Sequence, residues 1–549
     1  MKNRYDERVW EVLFPIRIVK LFGKVTNAEA LLKEQLLQVN LNEPDCTVLE
    51  NTEDGEESGI LLDFGREING AARILTFSSH SQMPASVHIT YGESVAESLS
   101  KIGYKNATND HSVRDTDVFL PSYSDMTFNE TGFRFLYIHL NGKGVKLSLK
   151  AVTAVSVYRD IPALGSFRCD NETINRIYDT AAYTCKLCLQ NYIWDGIKRD
   201  RLVWVGDMHP EMLTVRTVFG NIPIMAKTLD FIREATPMTK WMNNMPTYSL
   251  WWMIIVRDWY FYTGNKEFLE NNSGYILSLS KKICSIVSDD GSDSIGYYFL
   301  DWPTNDTEAG KYGSRALLVL ALNAAAELSR YCNDIATADL CDKKAEILKT
   351  CEWNTCTAKQ TAAMIALAGC CDEIIAASEI LEGGAVGFST FMSYYLLKAA
   401  AKKDMTATLS VLEEYYGAML KLGATAFWED FNIEWAKNAS TIDEIPGDGK
   451  SDVHGDNGAF CYKGFRHSLC HGWSSAPTAF LAEEVLGIHI LSVGCKKVEI
   501  KPNLGDLSWA KGTYPTPYGI ISVECRRLEN GEIHTKWTAP EEIEVIGAI

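Results

Sequence analysis

Residues 389–404 read S-T-F-M-S-Y-Y-L-L-K-A-A-A-K-K-D, and residues 406–421 read T-A-T-L-S-V-L-E-E-Y-Y-G-A-M-L-K. In both stretches apolar residues recur three to four positions apart, which is the spacing of one face of an α-helix. Because only a very short turn separates them, two such helices have to run antiparallel. The pair therefore predicts a helical hairpin.

The same spacing recurs through the middle of the chain. The segments that show it are 171–193, 208–235, 248–263, 314–332, 359–369, 389–402 and 406–422. Gly or Asn follows several of them, as is common at helix ends. They follow no fixed sequence period, so they are not identical solenoid repeats. Hairpins over so long a region predict an (α/α)6 helical toroid rather than a four-helix bundle.

A different sequence pattern flanks this region on both sides. Short apolar runs separated by Gly, Asn and Ser fill residues 46–160 and return after residue 486, a pattern typical of antiparallel β-sandwiches. We therefore predict a multidomain chain with an N-terminal β-sandwich over 1–162, the toroid over 163–485 and a C-terminal β-sandwich over 486–549. The polar residues 101–114 are predicted to form a long loop.

The chain is acidic, with a net charge of −18 over 549 residues. This charge disfavours nucleic acid and anionic membranes as partners, because both are themselves negatively charged. The N-terminal residues lack a sustained apolar stretch, and no run is long enough to cross a bilayer, so we expect a cytoplasmic protein.

There are 15 cysteines, several of them inside predicted helices. Cys185 and Cys188 have C-x-x-C spacing, but no second pair follows at the distance of a zinc ribbon. We expect reduced core thiols rather than a metal site, which is consistent with a reducing compartment.

The most informative segment for chemistry is residues 194–210, W-D-G-I-K-R-D-R-L-V-W-V-G-D-M-H-P. It places the carboxylates of Asp195, Asp200 and Asp207 among arginines and tryptophans. Carboxylates accept hydrogen bonds from sugar hydroxyls, indole rings cover the apolar face of a pyranose, and a protonated carboxyl can donate to a leaving oxygen. The alternative is a salt-bridged loop with buried tryptophans.

Two later segments carry similar residues. Residues 424–435, A-T-A-F-W-E-D-F-N-I-E-W, surround Glu429 with aromatic rings, and residues 462–477 add His467, His471 and Trp473. A buried carboxylate is either at a site or paired with a base, whereas histidines are often hydrogen-bonded core residues. The loops at one end of a toroid converge, so the segments that hold Asp200 and Glu429 are predicted to face one cavity.

The order of domains and these motifs resemble the bacterial α-L-rhamnosidases of glycoside hydrolase family 78, from about residue 60 onward. The family signature, roughly D-C-P-Q-R-E-R-L-G-W-T-G-D, stands here as D-G-I-K-R-D-R-L-V-W-V-G-D over residues 195–207. L-D-F-G-R-E-I-N-G at 62–70 resembles the segment that enters the β domain. The resemblance implies a general acid at Asp200 and, from a W-E-R-W-like motif, a general base at Glu429.

The resemblance also implies the residues that bind the sugar. Its sugar-binding acids fall on Asp195 and Asp207, its stacking tryptophan falls on Trp204, and Asp301-Trp302 resembles a family element that helps to wall the sugar pocket. Beyond the resemblance, we expect substrate contacts from Arg199, His471, Trp251 and Trp428. Three departures leave the exact sugar open: Gly-Ile-Lys replaces Cys-Pro-Gln, Asp replaces Glu at the acid position, and Val203 replaces Gly. The chain is short for the family, which favours small glycosides over polymers.

The implied reaction is inverting hydrolysis that releases terminal α-L-rhamnose from a small glycoside or oligosaccharide, with neither a metal nor an organic cofactor. One alternative is a glycosidase of the same fold for another deoxy-sugar or a pentose; a polysaccharide lyase fits the acid-rich motif less well. A second class is a non-catalytic relative that only binds sugar, and a pure scaffold would leave the clustered acids unexplained. The sequence leaves a homodimer open.

Overall fold

The computed structural model describes residues 6–42, 45–355 and 357–547. The outermost residues of the two predicted terminal domains, 1–5 and 548–549, lie outside this range. The N-terminal domain is built from nine antiparallel strands in one sheet. These strands are β1 Val9–Leu13, β2 Arg17–Phe22, β3 Lys24–Thr26, β4 Thr47–Glu50, β5 Gly59–Ser78, β6 Ala85–Gly92, β7 Asp115–Leu120, β8 Ser124–Leu140 and β9 Lys146–Tyr158.

Strand β5 organises this domain. It pairs with β2, β8 and β9 along different parts of its length, and its pairing with β8 shifts register after Asp63 and again after Gly70. Such irregularities bend a strand, which lets one long strand serve several neighbours. The one-turn helix α1, Val95–Ser98, follows β6 and is capped by the Ser94 side chain, which accepts a hydrogen bond from Glu97 N.

Over its described residues, the central domain contains twelve α-helices that alternate between an outer and an inner ring. The outer helices are α2 Glu172–Cys188, α4 Pro223–Ala235, α6 Lys266–Ser285, α8 Ile335–Lys349, α10 Glu373–Leu381 and α12 Met405–Lys421. The inner helices are α3 Met208–Thr214, α5 Pro246–Thr263, α7 Glu308–Tyr331, α9 Lys359–Leu367, α11 Ser393–Ala400 and α13 Pro477–Phe480. Each inner helix contacts the next, and α13 contacts α3, so the ring closes. The predicted toroid of six hairpins is confirmed.

Helix capping differs between the two rings. Side chains cap five of the six outer helices: Asn171, Asn265, Asp334, Asp372 and Asp404 each accept a backbone N–H of the first turn. Among the inner helices, α3, α5, α9, α11 and α13 begin without a side-chain cap. Uncapped N-termini carry partial positive charge, which favours carboxylates at that end of the ring.

The helical periodicity gave some boundaries wrongly. The segment predicted as one helix over 208–235 is interrupted. Helix α3 passes into a π-helical turn, Val215–Phe219, which ends at Gly220 with a φ of +80°, and Pro223 then starts α4. Helices α6, α8 and α10 were not predicted from the periodicity. In the N-terminal domain, Ala28–Leu32 forms a 3-10 helix.

The C-terminal region forms two small sheets. One is four-stranded and antiparallel, with β10 Ser166–Cys169, β15 Trp509–Thr516, β16 Gly519–Arg527 and β17 Ile533–Thr538. The other joins β13 Ile488–Ile490, β14 Lys497–Ile500 and β18 Glu544–Gly547, with β14 and β18 parallel. Strand β10 thus comes from the range predicted for the toroid. The short strands β11 Ala439–Ser440 and β12 Ser451–Asp452 pair within the helical domain.

Within the described ranges, no helix combines the length and the apolar character that a bilayer crossing requires. Cys185 and Cys188 are buried thiols on and near the end of α2, as the sequence predicts.

Candidate active site

The candidate site lies at the end of the toroid where the inner helices begin. Asp207 directly precedes α3, Tyr248 lies in the first turn of α5, Trp302 precedes α7, and Trp473 precedes α13. The long segment between α2 and α3, residues 189–207, and the segment after α12 cover this end. Residues that are far apart in the sequence therefore converge at one place, as predicted.

Lys198 anchors the 189–207 segment to the N-terminal domain. Its ammonium lies 2.9 Å from Glu93 Oε2 and 3.1 Å from Glu97 Oε1, and it also donates to the backbone carbonyls of Phe465 and His467. Glu93 and Glu97, with His454, have oxygen and nitrogen atoms close enough together to ligate a metal ion. Since the Lys198 ammonium already contacts both carboxylates, a protonated amine balances their charge.

The backbone of the segment is folded back on itself at Asp200. Asp195 and Leu202 exchange hydrogen bonds, Asp195 N to Leu202 O and Leu202 N to Asp195 Oδ1, at 3.1 and 2.8 Å. Between them, Asp200 and Arg201 adopt φ values of +57° and +53°, in the left-handed region. Two successive non-glycine residues there cost roughly 1–2 kcal/mol each. Strain of this kind persists where the surrounding structure holds a side chain in a functional orientation.

Two hydrogen-bond donors and an imidazole ring surround the Asp200 carboxylate. Arg199 Nη1 donates to Oδ1 at 3.0 Å, Trp204 Nε1 donates to Oδ2 at 3.0 Å, and His111 Nε2 lies 3.2 Å from Oδ1. His111 belongs to the loop 101–114 of the N-terminal domain. The carboxylate is therefore held in one orientation by two domains.

Arg199 connects Asp200 to Glu429. Its Nη1 donates to Asp200 Oδ1 while Nη2 donates to Glu429 Oε1, and Ser468 N donates to the other Glu429 oxygen at 3.1 Å. Burial opposes the charge of Arg199, but the carboxylates of Glu429 and Asp200 outweigh it and raise the pKa of the guanidinium. Asp200 and Glu429 thus occupy one site, one guanidinium apart.

A second cluster lies beside this pair. His471 Nε2 lies 3.7 Å from Glu429, 3.8 Å from Asp195 and 3.9 Å from Asp207, in each case from a carboxylate oxygen. Burial and the neighbouring charges of Asp200 and Asp207 raise the pKa of Asp195, whereas burial and the charge of Arg199 lower the pKa of His471. The cluster therefore offers both hydrogen-bond acceptors and protonated carboxyls to a polyhydroxylated ligand.

Asp207 is oriented from α5. Tyr248 donates to Asp207 Oδ1 at 2.8 Å, and burial raises the pKa of Asp207 although this hydrogen bond opposes the shift. The preceding residue is Gly206, where a Cβ would overlap the Tyr248 ring. Glycine is required at 206 because only a residue without a side chain lets the phenol approach so closely.

The predicted aromatic wall is only partly at the site. Trp204 donates to Asp200, and Trp302 packs against Phe460 and Tyr462 with ring centroids 5.7 Å apart in both cases. Trp251 packs instead against His209, Phe391 and Tyr395 in the interior of the ring.

Trp428 is fully buried behind Glu429, where it packs against Phe431 and His467. The structure therefore places neither Trp251 nor Trp428 at the candidate site.

Asp301 has a local structural position. Its Oδ1 caps Trp302 N at 2.8 Å, and its Oδ2 accepts a hydrogen bond from Ser389. It is buried, and burial raises its pKa to about 6, although the Ser389 hydrogen bond opposes the shift. These contacts place Asp301 beneath Trp302, where it fixes that residue's backbone.

The raised pKa of Asp301 predicts a pH dependence of stability. Between its ordinary pKa of 3.8 and about 6 the folded state binds the proton more tightly than the unfolded state, so stability falls as pH rises through this window. Asp301→Asn removes this dependence. We expect the loss of unfolding free energy between about pH 4.5 and about pH 7.5 to be smaller by about 2 kcal/mol in the variant. Urea unfolding of both proteins at each pH measures the difference, and equal losses would contradict it.

Sequence reasoning missed four groups that shape the site: His111, Tyr248, Tyr462 and Ser468. Arg199 packs over the Tyr462 ring at 5.6 Å. Ser468 accepts a hydrogen bond from Glu429 N through its carbonyl, and its N–H donates to Glu429 Oε2. Tyr248 was not predicted because it belongs to no recognisable motif, and His111 was not predicted because it lies in a polar loop of another domain. His467, weighed as a core residue, does bond to the backbone, because its Nε2 accepts from Asp430 N.

A separate cavity of about 600 Å³ lies at the opposite end of the ring. Trp251 and His209 line it, together with the ion pairs Asp258–Arg257 and Glu483–Lys398. Its charged groups neutralise one another, so it lacks the concentration of carboxylates found at the other end.

A closed ring of six helical hairpins, with buried carboxylates where its inner helices begin, is the architecture of a six-hairpin glycosidase domain. Residues 162–364 match the family model of the bacterial α-L-rhamnosidase six-hairpin glycosidase domain. This part of the helical domain, which includes the motif at 195–207, is therefore similar to that rhamnosidase family. No curated protein matches the chain in sequence.

Solved structures share the fold over most of the chain. A rhamnosidase of family 78 from Bacillus sp. GL1 superposes with a TM-score of 0.77 at 22% identity, covering 95% of this chain and 55% of the other. A rhamnosidase from Klebsiella oxytoca with rhamnose bound gives 0.66 at 15% identity, covering 87% and 96%. A Streptomyces avermitilis α-L-rhamnosidase complexed with L-rhamnose gives 0.69 at 14% identity, covering 89% and 48%. This chain spans about half the length of the first and third.

Proposed function

We propose that this protein is an inverting glycoside hydrolase that releases terminal α-L-rhamnose from small glycosides. The observation that carries the proposal is the shared contact of Asp200 and Glu429 with Arg199. A guanidinium between two carboxyl groups favours the spacing of about 6.5–9.5 Å of inverting enzymes over the about 5–5.5 Å of retaining ones.

In this mechanism Asp200 is the general acid. Its carboxyl proton passes to the glycosidic oxygen as the bond from that oxygen to the anomeric carbon breaks, and the electron pair of the bond stays with the leaving alcohol. Glu429 is the general base and removes a proton from the water that attacks the opposite face of the anomeric carbon. Arg199 and Ser468 N each donate to one oxygen of Glu429 and hold this side chain in place.

The second cluster would bind the sugar hydroxyls. Asp195, Asp207 and His471 lie beside Glu429 and offer donors and acceptors in a buried setting. Trp302, with Phe460 and Tyr462, supplies an apolar wall on which the C6 methyl of a deoxy-sugar would pack. Two of the similar structures contain rhamnose, which supports the same sugar here.

Of the three departures at 196–198, only Gly196 contacts the hydroxyl-binding cluster, through a backbone bridge to His471, and it brings no side chain there. Gly196, Ile197 and Lys198 are buried, and Lys198 faces the N-terminal domain through Glu93 and Glu97. The altered residues therefore do not argue for another sugar, and a rhamnoside remains the favoured substrate over another deoxy-sugar or a pentose. Cys185 and Cys188 as buried thiols are consistent with the cytoplasm.

The test is hydrolysis of a panel of nitrophenyl glycosides, followed by proton NMR of the sugar as it is released. We expect activity on the α-L-rhamnoside and β-L-rhamnose as the first product, because one displacement inverts the anomeric centre. An initial α-anomer would contradict the inverting mechanism. Preference for another glycoside would replace rhamnose by that sugar, and sugar binding without turnover would favour a non-catalytic relative. Light scattering of the same sample distinguishes a monomer from a homodimer.

A further inference from the structure

We propose that Phe460 selects the leaving group of the substrate, so that this protein prefers α-L-rhamnosides whose leaving alcohol carries an aromatic ring. The inference rests on the proposed hydrolysis of rhamnosides and deepens it, because the contacts proposed for the sugar leave the leaving group undefined. Phe460 is a binding residue in this proposal and takes no part in proton transfer.

Phe460 lies in a tight turn that does not favour a bulky residue. Tyr462 N donates to the carbonyl of Ala459 at 2.9 Å, so residues 459–462 form a β-turn with Phe460 in its second position. The φ of Phe460 is +55°, in the left-handed region. Turns with a positive φ at this position usually hold Gly, Asn or Asp, because a larger side chain is strained there. The backbone alone therefore gives no reason for a phenylalanine.

The turn is held in this shape on both sides. Gly464 N donates to the carbonyl of Asn457 at 2.9 Å. Gly458 has a φ of +99° and lies so close to the Tyr462 carbonyl that a Cβ would come within 2.1 Å of its oxygen. A turn closed in this way keeps the Phe460 ring at a defined place.

The Phe460 ring stacks on Trp302 and remains open to solvent. The two ring centroids are 5.7 Å apart and the ring planes are inclined by 26°, the geometry of an offset stack. Phe460 is 46% exposed, whereas Tyr462, which packs nearly perpendicular to the same indole, is 4% exposed. The apolar wall proposed for the C6 methyl thus runs from the buried Tyr462 through Trp302 to Phe460 at the surface. A terminal sugar fills the buried end, so the group attached to it lies at the exposed end.

Exposure and a strained backbone do not by themselves mark a binding site. Tyr123, in the turn between β7 and β8, has a φ of +58° and is 55% exposed, and it packs on Phe77 with ring centroids 5.6 Å apart. Phe460 differs because its ring continues the wall that Trp302 and Tyr462 form at the candidate site. Tyr123 therefore serves as a matched control for Phe460.

The turn is also tied to the proposed general acid. Arg466 Nη1 donates to the carbonyl of Cys461 at 2.7 Å, and the carbonyl of Arg466 accepts from Arg199 Nε at 3.1 Å. Arg199 Nη1 in turn donates to Asp200 Oδ1. The glycosidic oxygen has to lie next to Asp200 to receive its proton, so the group bonded to that oxygen leaves the site close to this turn.

The chemistry of the turn favours a flat apolar ring over a second sugar. Ala459 and Cys461, which flank Phe460, have no amide, hydroxyl or charged side chain. A sugar as leaving group would need hydrogen-bond partners for its hydroxyls, whereas an aromatic ring needs only the exposed face of another ring. An aromatic alcohol is therefore the leaving group that this surface fits.

The test compares benzyl α-L-rhamnoside with methyl α-L-rhamnoside. Their leaving alcohols have similar acidity, so the need for protonation by Asp200 is similar and the two substrates differ mainly in one aromatic ring. We expect kcat/KM of the wild type to be roughly 10-fold higher on the benzyl compound, and this ratio to fall to about 1 in Phe460→Ala. The ratio is the readout because any effect of Phe460 on the sugar itself is common to both substrates and cancels.

Two further variants at this position separate the ring from the strain of its backbone. Phe460→Tyr keeps an aromatic ring and should keep the preference for the benzyl compound. Phe460→Gly should lose the preference, yet its Tm should exceed that of Phe460→Ala, because glycine adopts a positive φ without strain. Tyr123→Gly relieves a similar strain in the N-terminal domain and should leave the ratio at its wild-type value.

The outcomes separate this inference from the proposed function. Hydrolysis of both rhamnosides by the wild type at equal kcat/KM would overturn the inference alone. An equal loss on both substrates in Phe460→Ala would mean that the ring only covers Trp302, and this would also overturn it. A wild type that hydrolyses neither compound would overturn the proposed function and, with it, the role of Phe460.

Discussion

Asp200→Asn is expected to lower kcat on an α-L-rhamnoside with a poor leaving group by about 10²–10⁴-fold, the usual contribution of a positioned acid. Asparagine has the same shape as aspartate, and its one acceptor oxygen keeps the hydrogen bond of either Arg199 or Trp204. It cannot give up a proton to the glycosidic oxygen. Steady-state kinetics measure the effect on two substrates: an alkyl α-L-rhamnoside, whose leaving group needs protonation, and a dinitrophenyl α-L-rhamnoside, whose leaving group does not. The loss of kcat should nearly vanish for the dinitrophenyl rhamnoside.

Glu429→Gln provides the comparison. Activation of the attacking water is needed whatever the leaving group, so this variant should lose a similar factor on both substrates. If instead Asp200→Asn lost activity on both substrates and Glu429→Gln lost activity only on the alkyl rhamnoside, the roles of the two carboxyl groups would be exchanged. Wild-type activity of Asp200→Asn on the alkyl rhamnoside would remove Asp200 from the mechanism altogether.

The helical periodicity revealed the toroid because its inner and outer helices have different sequences. Helix α12 alternates apolar and polar faces, whereas nearly all of α5 is apolar because it is buried in the ring. Helix α6 was missed because N-N-S-G in its middle is typical of a turn. Its first turn is nevertheless capped by Asn265, and apolar residues such as Ile276 and Ile283 pack it against the ring, so tertiary packing outweighs the local preference.

The candidate site was predictable only to the extent that it lies within one motif. Asp195, Asp200 and Asp207 share a segment, and Glu429 lies among aromatic residues that mark burial. The contribution of His111 was not predictable, because it depends on how the N-terminal domain docks on the helical ring. The positions of tryptophans in the sequence also do not separate site residues from core residues. Trp251 and Trp428 fill the protein interior, which is the commoner position for an apolar ring on a buried helix or beside a buried turn.

Domain docking leads to the second large effect, which concerns stability. Lys198→Met is expected to lower the free energy of unfolding by about 3–5 kcal/mol, the usual cost of breaking a buried ion pair by removing one partner. Methionine fills much of the same volume, so the loss reflects charge rather than a cavity. Glu93 and Glu97 are both fully buried, and without the ammonium their nearest remaining cation is Arg114, whose Nε lies 3.7 Å from Glu97 Oε1. Urea unfolding of the variant and the wild type measures the loss.

Two controls separate the charge effect from a general effect of methionine. Lys101→Met, at an exposed position of the same domain, should change stability by less than about 0.5 kcal/mol. The loss in Lys198→Met should also shrink toward acid pH. Burial already raises the pKa of Glu93 to about 7 in the wild type although Lys198 opposes the shift, and removing the lysine raises it further. At about pH 5 the Glu93 carboxyl can then accept a proton and so remove one unpaired charge. A loss that is equal at about pH 5 and about pH 8 would show that Lys198 stabilises the interface by packing and not by its charge.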